Sequence, residues 1–402
     1  MAKERPMSTS ARFEYFAVKQ KQYREANRKG KSRILDEMES TTHLSRKHLI
    51  MRMNESGLSR KGRERERSCE YGPDVVWSAR FIAETLDWIC AERLTPALPD
   101  MLRGLAKYGE MVATPELEAQ LAKISVSTVR RLLSGAPHSN PGLPKQRRGR
   151  RPDTVTQSMV PISVIPWQIP VPGYFEVDLV IHGIPDENGQ PISTIQFIDI
   201  RTGWSERFAI RGHEFHDLWP VFLRFRTHCP IPVREIHIDN GSEFLNHALI
   251  SHLGEEMVHV RVTRGRPGCK NDNRFVEQKN SSLIRCYLGH LPLHTTEHCQ
   301  RLDAFYQDMW LYYNFFQPVL RQTSRTATTG SDGLCRIVRQ QDRAATPLQR
   351  LLSAKPPLSR AKADQLLALR AETNPRALWR RIHQQLTELA RLSSVYESRR
   401  SL

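Results

Sequence analysis

The chain has 402 residues and carries 60 lysines and arginines against 43 aspartates and glutamates, a formal charge of +17. That length supports two or three domains with ample material for a core, and the positive excess suits a polyanionic partner, nucleic acid before an anionic membrane. No apolar run approaches the roughly 18 residues of a membrane span, and the N-terminus, MAKERPMSTSARFEYF, lacks the apolar core of a signal peptide, so a cytoplasmic protein with no membrane partner is expected.

Ala11 to Met53 reads as helices. Lys31 to Ser40 carries Ile34, Leu35 and Met38 at core spacing, and Thr41-Thr42-His43 makes a short break. Ser45 then stands where it can cap a further helix with Leu49 and Ile50 inward and Arg46, Lys47 and Arg52 outward. This is the outline of a helix-turn-helix whose second helix enters a major groove; the plainer alternative is a generic basic helical hairpin. The module is assigned to residues 1–66, closing on the mixed charge run RKGRERER, a solvated connector.

A second helical module is expected over residues 67–140. Trp77, Phe81, Ile82, Leu86 and Ile89 repeat at helical spacing, and Thr114-Pro115-Glu116 is a helix start with Thr as cap and Pro at the first position. Leu117, Leu121 and Ile124 form the stripe of that helix. In SVSTVRRLLS, Ser125 to Ser134, Val129, Leu132 and Leu133 point inward and Ser127, Thr128, Arg130 and Arg131 are left for a groove. A second helix-turn-helix fits, and so does a helical spacer.

Residues 141–165 are a basic Pro/Gly linker that cannot build a core. Arg148, Arg150 and Arg151 suit an A·T-rich minor groove, or else a solvated run that adds phosphate affinity.

From 166 to 318 the pattern changes to strands. Tyr174 to Ile181, Thr194 to Ile200 and Trp204 to Ile210 read as three consecutive strands, followed by a helix from Phe215 to His228. In the first strand, Phe175, Val177, Leu179 and Ile181 share one face and Glu176, Asp178 and Val180 the other. Next comes EIHIDNGSEFL, Glu235 to Leu245. Ile236 and Ile238 alternate as in a half-buried strand, and Asn240-Gly241 stops that strand directly after Asp239. A helix near Ala248 to Glu255 and a strand at Val258 to Val262 follow. A Gly/Pro loop containing Arg264, Arg266, Lys270 and Asn271 then supplies phosphate and base-edge donors. It leads into a helix in which Phe275, Val276, Leu283, Ile284, Tyr287 and Leu288 pack inward while Arg274, Glu277, Asn280, Ser281 and Arg285 share an exposed face. Acids on two strands and a helix are thus able to converge.

Asp178, Asp239 within DNGSEF, and Glu277 within KNDNRFVEQKN resemble, in order and in spacings of 61 and 38 residues, the DDE catalytic domain of retroviral integrases and bacterial insertion-sequence transposases. The resemblance covers Trp167 to Pro318. It implies an α/β, ribonuclease-H-like integrase core with a mixed five-stranded sheet and helices, preceded here by all-α helix-turn-helix modules and followed by an α-helical tail. The family's acids carry over to Asp178, Asp239 and Glu277. A basic residue commonly sits seven positions after the family's Glu; here that position is Ile284, and Arg285 follows. Retroviral integrases open with a His/Cys zinc module that this chain lacks, its seven cysteines being scattered without a Cys-x-x-Cys pair and expected to stay reduced.

The chemistry gives an independent reason for three carboxylates. Phosphodiester cleavage needs an activated water or hydroxyl, a stabilised leaving oxygen and screening of the phosphate, which two divalent ions about 3.5 to 4 Å apart provide. Mg²⁺ prefers oxygen ligands, with Mn²⁺ able to substitute, so Asp178 bridging both ions and Asp239 and Glu277 each holding one would suffice. His290, His294, His298 and Cys299 invite a zinc reading, which Pro292 opposes by breaking the helical register. Leu302 to Phe316 reads as an aromatic-rich helix ending in YNFFQP that closes the domain by packing, while the resemblance to similar transposases offers a Tyr-Asn element here that approaches DNA. Residues 319–402 are a basic extended connector and Leu-rich helices.

The expected activity is that of a transposase. It binds the ends of a mobile element in double-stranded DNA as at least a dimer, in association with the nucleoid, cleaves the 3′ ends and joins them to target DNA. A metal-dependent nuclease without strand transfer and a catalytically silent DNA-binding repressor are the alternatives.

Overall fold

The protein, as a computed structural model, is described over residues 7, 9–55, 70–134, 169–183, 185, 189–238, 244, 247–266, 273–329 and 335–400. It forms two compact units, Met1–Glu70 and Tyr71–Leu402. No described helix is long and apolar enough to cross a membrane.

The first unit holds α1 (Thr9–Glu25), α2 (Arg28–Thr42) and α3 (Arg46–Asn54). Asn27 caps α2 by accepting from the Gly30 amide, and His43 ends it in the left-handed conformation, φ 53°. Phe16, Tyr23, Leu35, Met38, Leu49 and Met53 form its core. Ile50 was expected inward but is 38% exposed, and Met53 takes its place. Leu49 and Met53 are four residues apart and stack on one helix face, whereas Ile50 is rotated off it.

The second unit begins with helices α4 (Pro73–Thr85), α5 (Ala91–Leu94), α6 (Leu98–Lys107), α7 (Pro115–Lys123) and α8 (Val126–Leu133). Thr114 caps α7 and Ser125 caps α8, each accepting from the amide three residues on. Val75, Ala79, Ile82 and Ala83 bury the face of α4. Trp77, part of the helically spaced apolar repeat, is 54% exposed and stacks on Phe81 with centroids 5.1 Å apart.

The sheet comprises β1 (Tyr174–His182), β2 (Ile192–Asp199), β3 (Ser205–Arg211), β4 (Glu235–Ile238) and β5 (Arg261–Arg264) in the order β3-β2-β1-β4-β5. β1, β2 and β3 pair antiparallel, while β4 runs parallel to β1 and β5 parallel to β4. With α9 (Phe215–His228) and α10 (His247–Glu256) between the later strands, this is the ribonuclease-H-like integrase-core fold. One sheet face is apolar and packs on α9, with Phe197 stacked on Phe225 at 4.0 Å and Phe175 edge-on to it at 4.9 Å.

The opposite face is polar and covered. Glu176, Thr194, Gln196, Arg207 and His237 lie on it and are all buried, so β1 and β4 are covered on both sides, as central strands paired in parallel are. The cover is α11 (Arg274–Lys279), a π-turn at Asn280–Arg285, α12 (Cys286–Leu288) and α13 (Thr296–Leu311) with its own π-turn at Tyr312–Phe316. The Tyr306 hydroxyl lies 2.6 Å from Thr194 Oγ1, which is 2.7 Å from His182 Nε2. Asn314 exchanges two 2.9 Å bonds with the Ser205 backbone, so the YNFF element packs. Gly173 starts β1 at φ +110°, where a Cβ would meet the Pro232 carbonyl oxygen at 2.4 Å. That approach lets the Gly173 carbonyl accept from Arg234 and Glu235 and seat β4.

In the last region, β6 (Gln322–Thr329) and β7 (Cys335–Gln341) form a two-stranded antiparallel ribbon where an extended connector was expected. β-branched residues supply the strand propensity, Thr in the sequence of β6 and Ile-Val in that of β7. Helices α14 (Pro347–Leu352), α15 (Arg360–Glu372) and α16 (Pro375–Arg400) follow.

Candidate active site

Asp178 is half-buried on β1, opposite Gln196 of β2. Val177 is the register partner of Ile238 in β4, and Asp239 is the next residue in the sequence; Asp239 itself lies outside the described residues. Glu277 is exposed in the first turn of α11.

Two sets of hydrogen bonds bring the helix of Glu277 onto the strand of Asp178. Asn280 donates through Nδ2 to Asp178 Oδ2. Glu176 Oε2 accepts from the Phe275 amide at 2.7 Å and the Val276 amide at 2.8 Å, which satisfies two of the amides that a helix start leaves without an intrahelical partner. Burial pushes the Glu176 carboxyl up to about 7, with the two amides and the Arg274 charge pulling the other way. Asp178 and Glu176, two residues apart on a strand, therefore face the same helix.

The π-turn matters for Arg285. A π-turn holds one more residue than an α-turn, so Arg285, eight residues after Glu277, arrives at the angle that seven residues reach in an unbroken α-helix. Its guanidinium donates to the Gly289 carbonyl at 3.1 Å and to the Ile181 carbonyl at 2.9 Å. It thus ties the helix to β1.

The other expected DNA contacts distribute as follows. Arg264 is buried on β5 opposite Ile238, and Arg266 is exposed just beyond it. Arg274 lies over the Phe275 ring at 4.9 Å. In the first unit Arg46 pairs with Asp36 and donates to Ser32 Oγ at 2.8 Å, Arg52 pairs with Glu55 at 2.8 Å, and Lys47 is exposed. On α8, Arg130 pairs with Glu92 and the exposed Arg131 donates to Thr128. Arg148, Arg150, Arg151, Lys270 and Asn271 lie outside the described residues.

Sequence reasoning placed Glu176 beside Asp178 without giving it a role. The available signal was the acid at the i−2 position on the same strand face. Asn280 was placed on the face of Glu277 but not joined to Asp178. Among the described residues no group of three His, Cys, Asp or Glu side chains is gathered for a metal. His298 instead lies with Nδ1 2.8 Å from the Thr295 hydroxyl.

No family model matches the chain. The uncharacterized protein y4rM of Sinorhizobium fredii (strain NBRC 101917 / NGR234) is 32% identical over 323 residues, which span 80% of this chain and 91% of that one. Solved structures that align with it include the catalytic core domain of BIV integrase, 16% identical over 35% of this chain and 83% of that chain, TM-score 0.27. The simian T-cell lymphotropic virus intasome in complex with PP2A regulatory subunit B56 gamma is 10% identical over 61% and 99%, TM-score 0.30. The HTLV-2 integrase catalytic core domain in complex with magnesium, a dimeric form, is 15% identical over 37% and 91%, TM-score 0.27.

Proposed function

The chain belongs to the family of the uncharacterized protein y4rM, and from its site we propose that it is a DNA transposase of integrase type, acting on the ends of a mobile element. The observation that carries this reading is the docking of the Glu277 helix onto the Asp178 strand through Asn280, beside a strand whose last described residue directly precedes Asp239.

Asp178, Asp239 and Glu277 are the proposed holders of divalent metal. An all-carboxylate oxygen set suits Mg²⁺, which binds through few carboxylates and keeps waters and phosphate oxygens. When bound, two such ions supply charge screening at the phosphate and lower the pKa of an attacking water or 3′-hydroxyl.

The chain's own groups do the positioning. Asn280 holds one oxygen of Asp178 and leaves the carboxylate a fixed orientation. Arg266 beyond β5, with Lys270 and Asn271, is proposed to bind phosphate near the acids, and Arg264 to support that segment. Lys47 on α3 and Arg131 on α8, both exposed, are the proposed groove contacts of the two helical modules, with Arg46, Arg52 and Arg130 beside them. Arg148, Arg150 and Arg151 would add phosphate affinity. Cleavage of two ends together calls for at least a dimer on DNA.

The test is a product assay. Duplexes carrying the element's own ends, incubated with the protein and Mg²⁺, should yield strands nicked at the 3′ end and then longer, joined strands. Shorter strands alone would favour a nuclease, and Asp239→Asn protein that cleaves undiminished would refute the site.

A further inference from the structure

Two polar side chains outside the proposed acid set join the β1 strand to the helix that carries Glu277. Glu176 is fully buried and its Oε2 accepts from the amides of Phe275 and Val276, one and two residues before Glu277. Asn280, 9% exposed, donates to Asp178 three residues after Glu277. The two attachments bracket Glu277 along its helix and meet the strand at Glu176 and at Asp178 itself, which share a face. Glu176 Oε1 and Asn280 Oδ1 have no hydrogen-bond partner and are buried. Burying a carboxyl with one oxygen unpaired is costly, and an apolar residue on β1 would pack under the same helix without that cost. A polar acceptor at this place is therefore accounted for by the two amides it holds.

We propose that Glu176 is a positioning residue. With Asn280 it forms a two-point clamp that sets the separation of Glu277 from Asp178 and so tunes the affinity of the acid set for divalent metal. Glu176 touches neither metal nor DNA and acts through the first turn of α11. This inference rests on the catalytic reading of Asp178 and Glu277 given above. An acid shifted by about 1 Å can lose two orders of magnitude in rate, and loss of a ligand's supporting contact typically costs 10- to 100-fold in metal affinity.

The experiment uses the full chain, an oligonucleotide duplex carrying the element's end, and Mg²⁺ or Mn²⁺ in titration. Wild type, Glu176→Ala, Glu176→Gln and Asp178→Asn are compared for the metal concentration that gives half-maximal cleavage and for hydrogen exchange at the Phe275 and Val276 amides. Glu176→Ala should raise the half-maximal metal concentration at least 10-fold and speed exchange at both amides, with DNA binding unchanged. Glu176→Gln keeps an acceptor oxygen and should recover most of both. If Glu176→Ala does not fold, Glu176→Asp, which withdraws the acceptor by one methylene, reads the same shift. Wild-type metal dependence in Glu176→Ala, or in Glu176→Asp where that variant takes its place, overturns the clamp while Asp178→Asn remains inactive. Cleavage by Asp178→Asn at the wild-type rate instead overturns the catalytic reading itself.

Discussion

Val177 of β1 and Ile238 of β4 stand opposite one another in parallel register, and each is followed in the sequence by an acid, Asp178 and Asp239. Parallel pairing keeps Val177 and Ile238 level along the sheet. The account accordingly predicts that Asp178→Asn and Glu277→Gln abolish Mg²⁺-dependent cleavage, by at least about three orders of magnitude in rate, while binding to end DNA measured by gel shift stays within a few fold. Loss of binding in step with cleavage would instead point to a folding defect or to a role in DNA contact.

Arg285 is expected to act through geometry. Its bonds to the carbonyls of Ile181 and Gly289 fix the π-turn against β1, and Lys, with a single compact ammonium, does not reproduce a planar fork. Arg285→Lys should slow cleavage on the order of 100-fold with a small change in thermal midpoint. A wild-type rate in that variant would show that the tie is dispensable.

Asp87 gathers four donors. Its Oδ2 accepts from Tyr287 at 2.6 Å and Tyr312 at 2.9 Å, and its Oδ1 from Trp379 at 2.8 Å, with His383 Nε2 at 2.9 Å. The carboxylate therefore joins the end of α4 to α12, the second π-turn and α16. Asp87→Ala leaves several buried donors without an acceptor and should cost about 3–5 kcal/mol. Denaturant unfolding followed by tryptophan fluorescence checks this, and a loss below about 1 kcal/mol would contradict it.

A pH dependence follows from the pair His228–Glu206. The Glu206 carboxylate, 2.7 Å from the imidazole, raises the pKa of His228 against the opposing effect of burial. A histidine whose folded pKa is raised adds stability that is complete below its ordinary value of 6.5 and is lost as pH climbs through the raised value. The thermal midpoint should thus decline more steeply above pH 6.5 in wild type than in His228→Gln. Equal slopes would remove the pair from the account.

Much of this was legible from residue order. The three strands, the helix Phe215–His228 and the cap at Thr114 follow from local alternation and turn chemistry, and the observed elements match them closely. The polar face of β1 was not legible as buried, because alternation alone says that Glu176 faces away from Phe175 and nothing about α11 and α13 arriving to cover it. The π-turn was equally hidden, since its side chains continue a helical spacing while its hydrogen bonds lengthen by one residue. Ile50 was read inward from hydrophobicity, yet α3 turns Leu49 and Met53 into the core and leaves Ile50 off that arc. Val258, expected in a strand, is 72% exposed, and β5 starts three residues later at Arg261.

The central claim is that Asp178, Asp239 and Glu277 work as one metal-dependent unit on DNA. Its most direct test is sequencing-gel analysis of end-DNA duplexes treated with wild type and with each single variant, Asp178→Asn, Asp239→Asn and Glu277→Gln, at saturating Mg²⁺. The account predicts nicked and joined strands with wild type and neither product with any of the three. Cleavage at the wild-type rate by any one of them would contradict it.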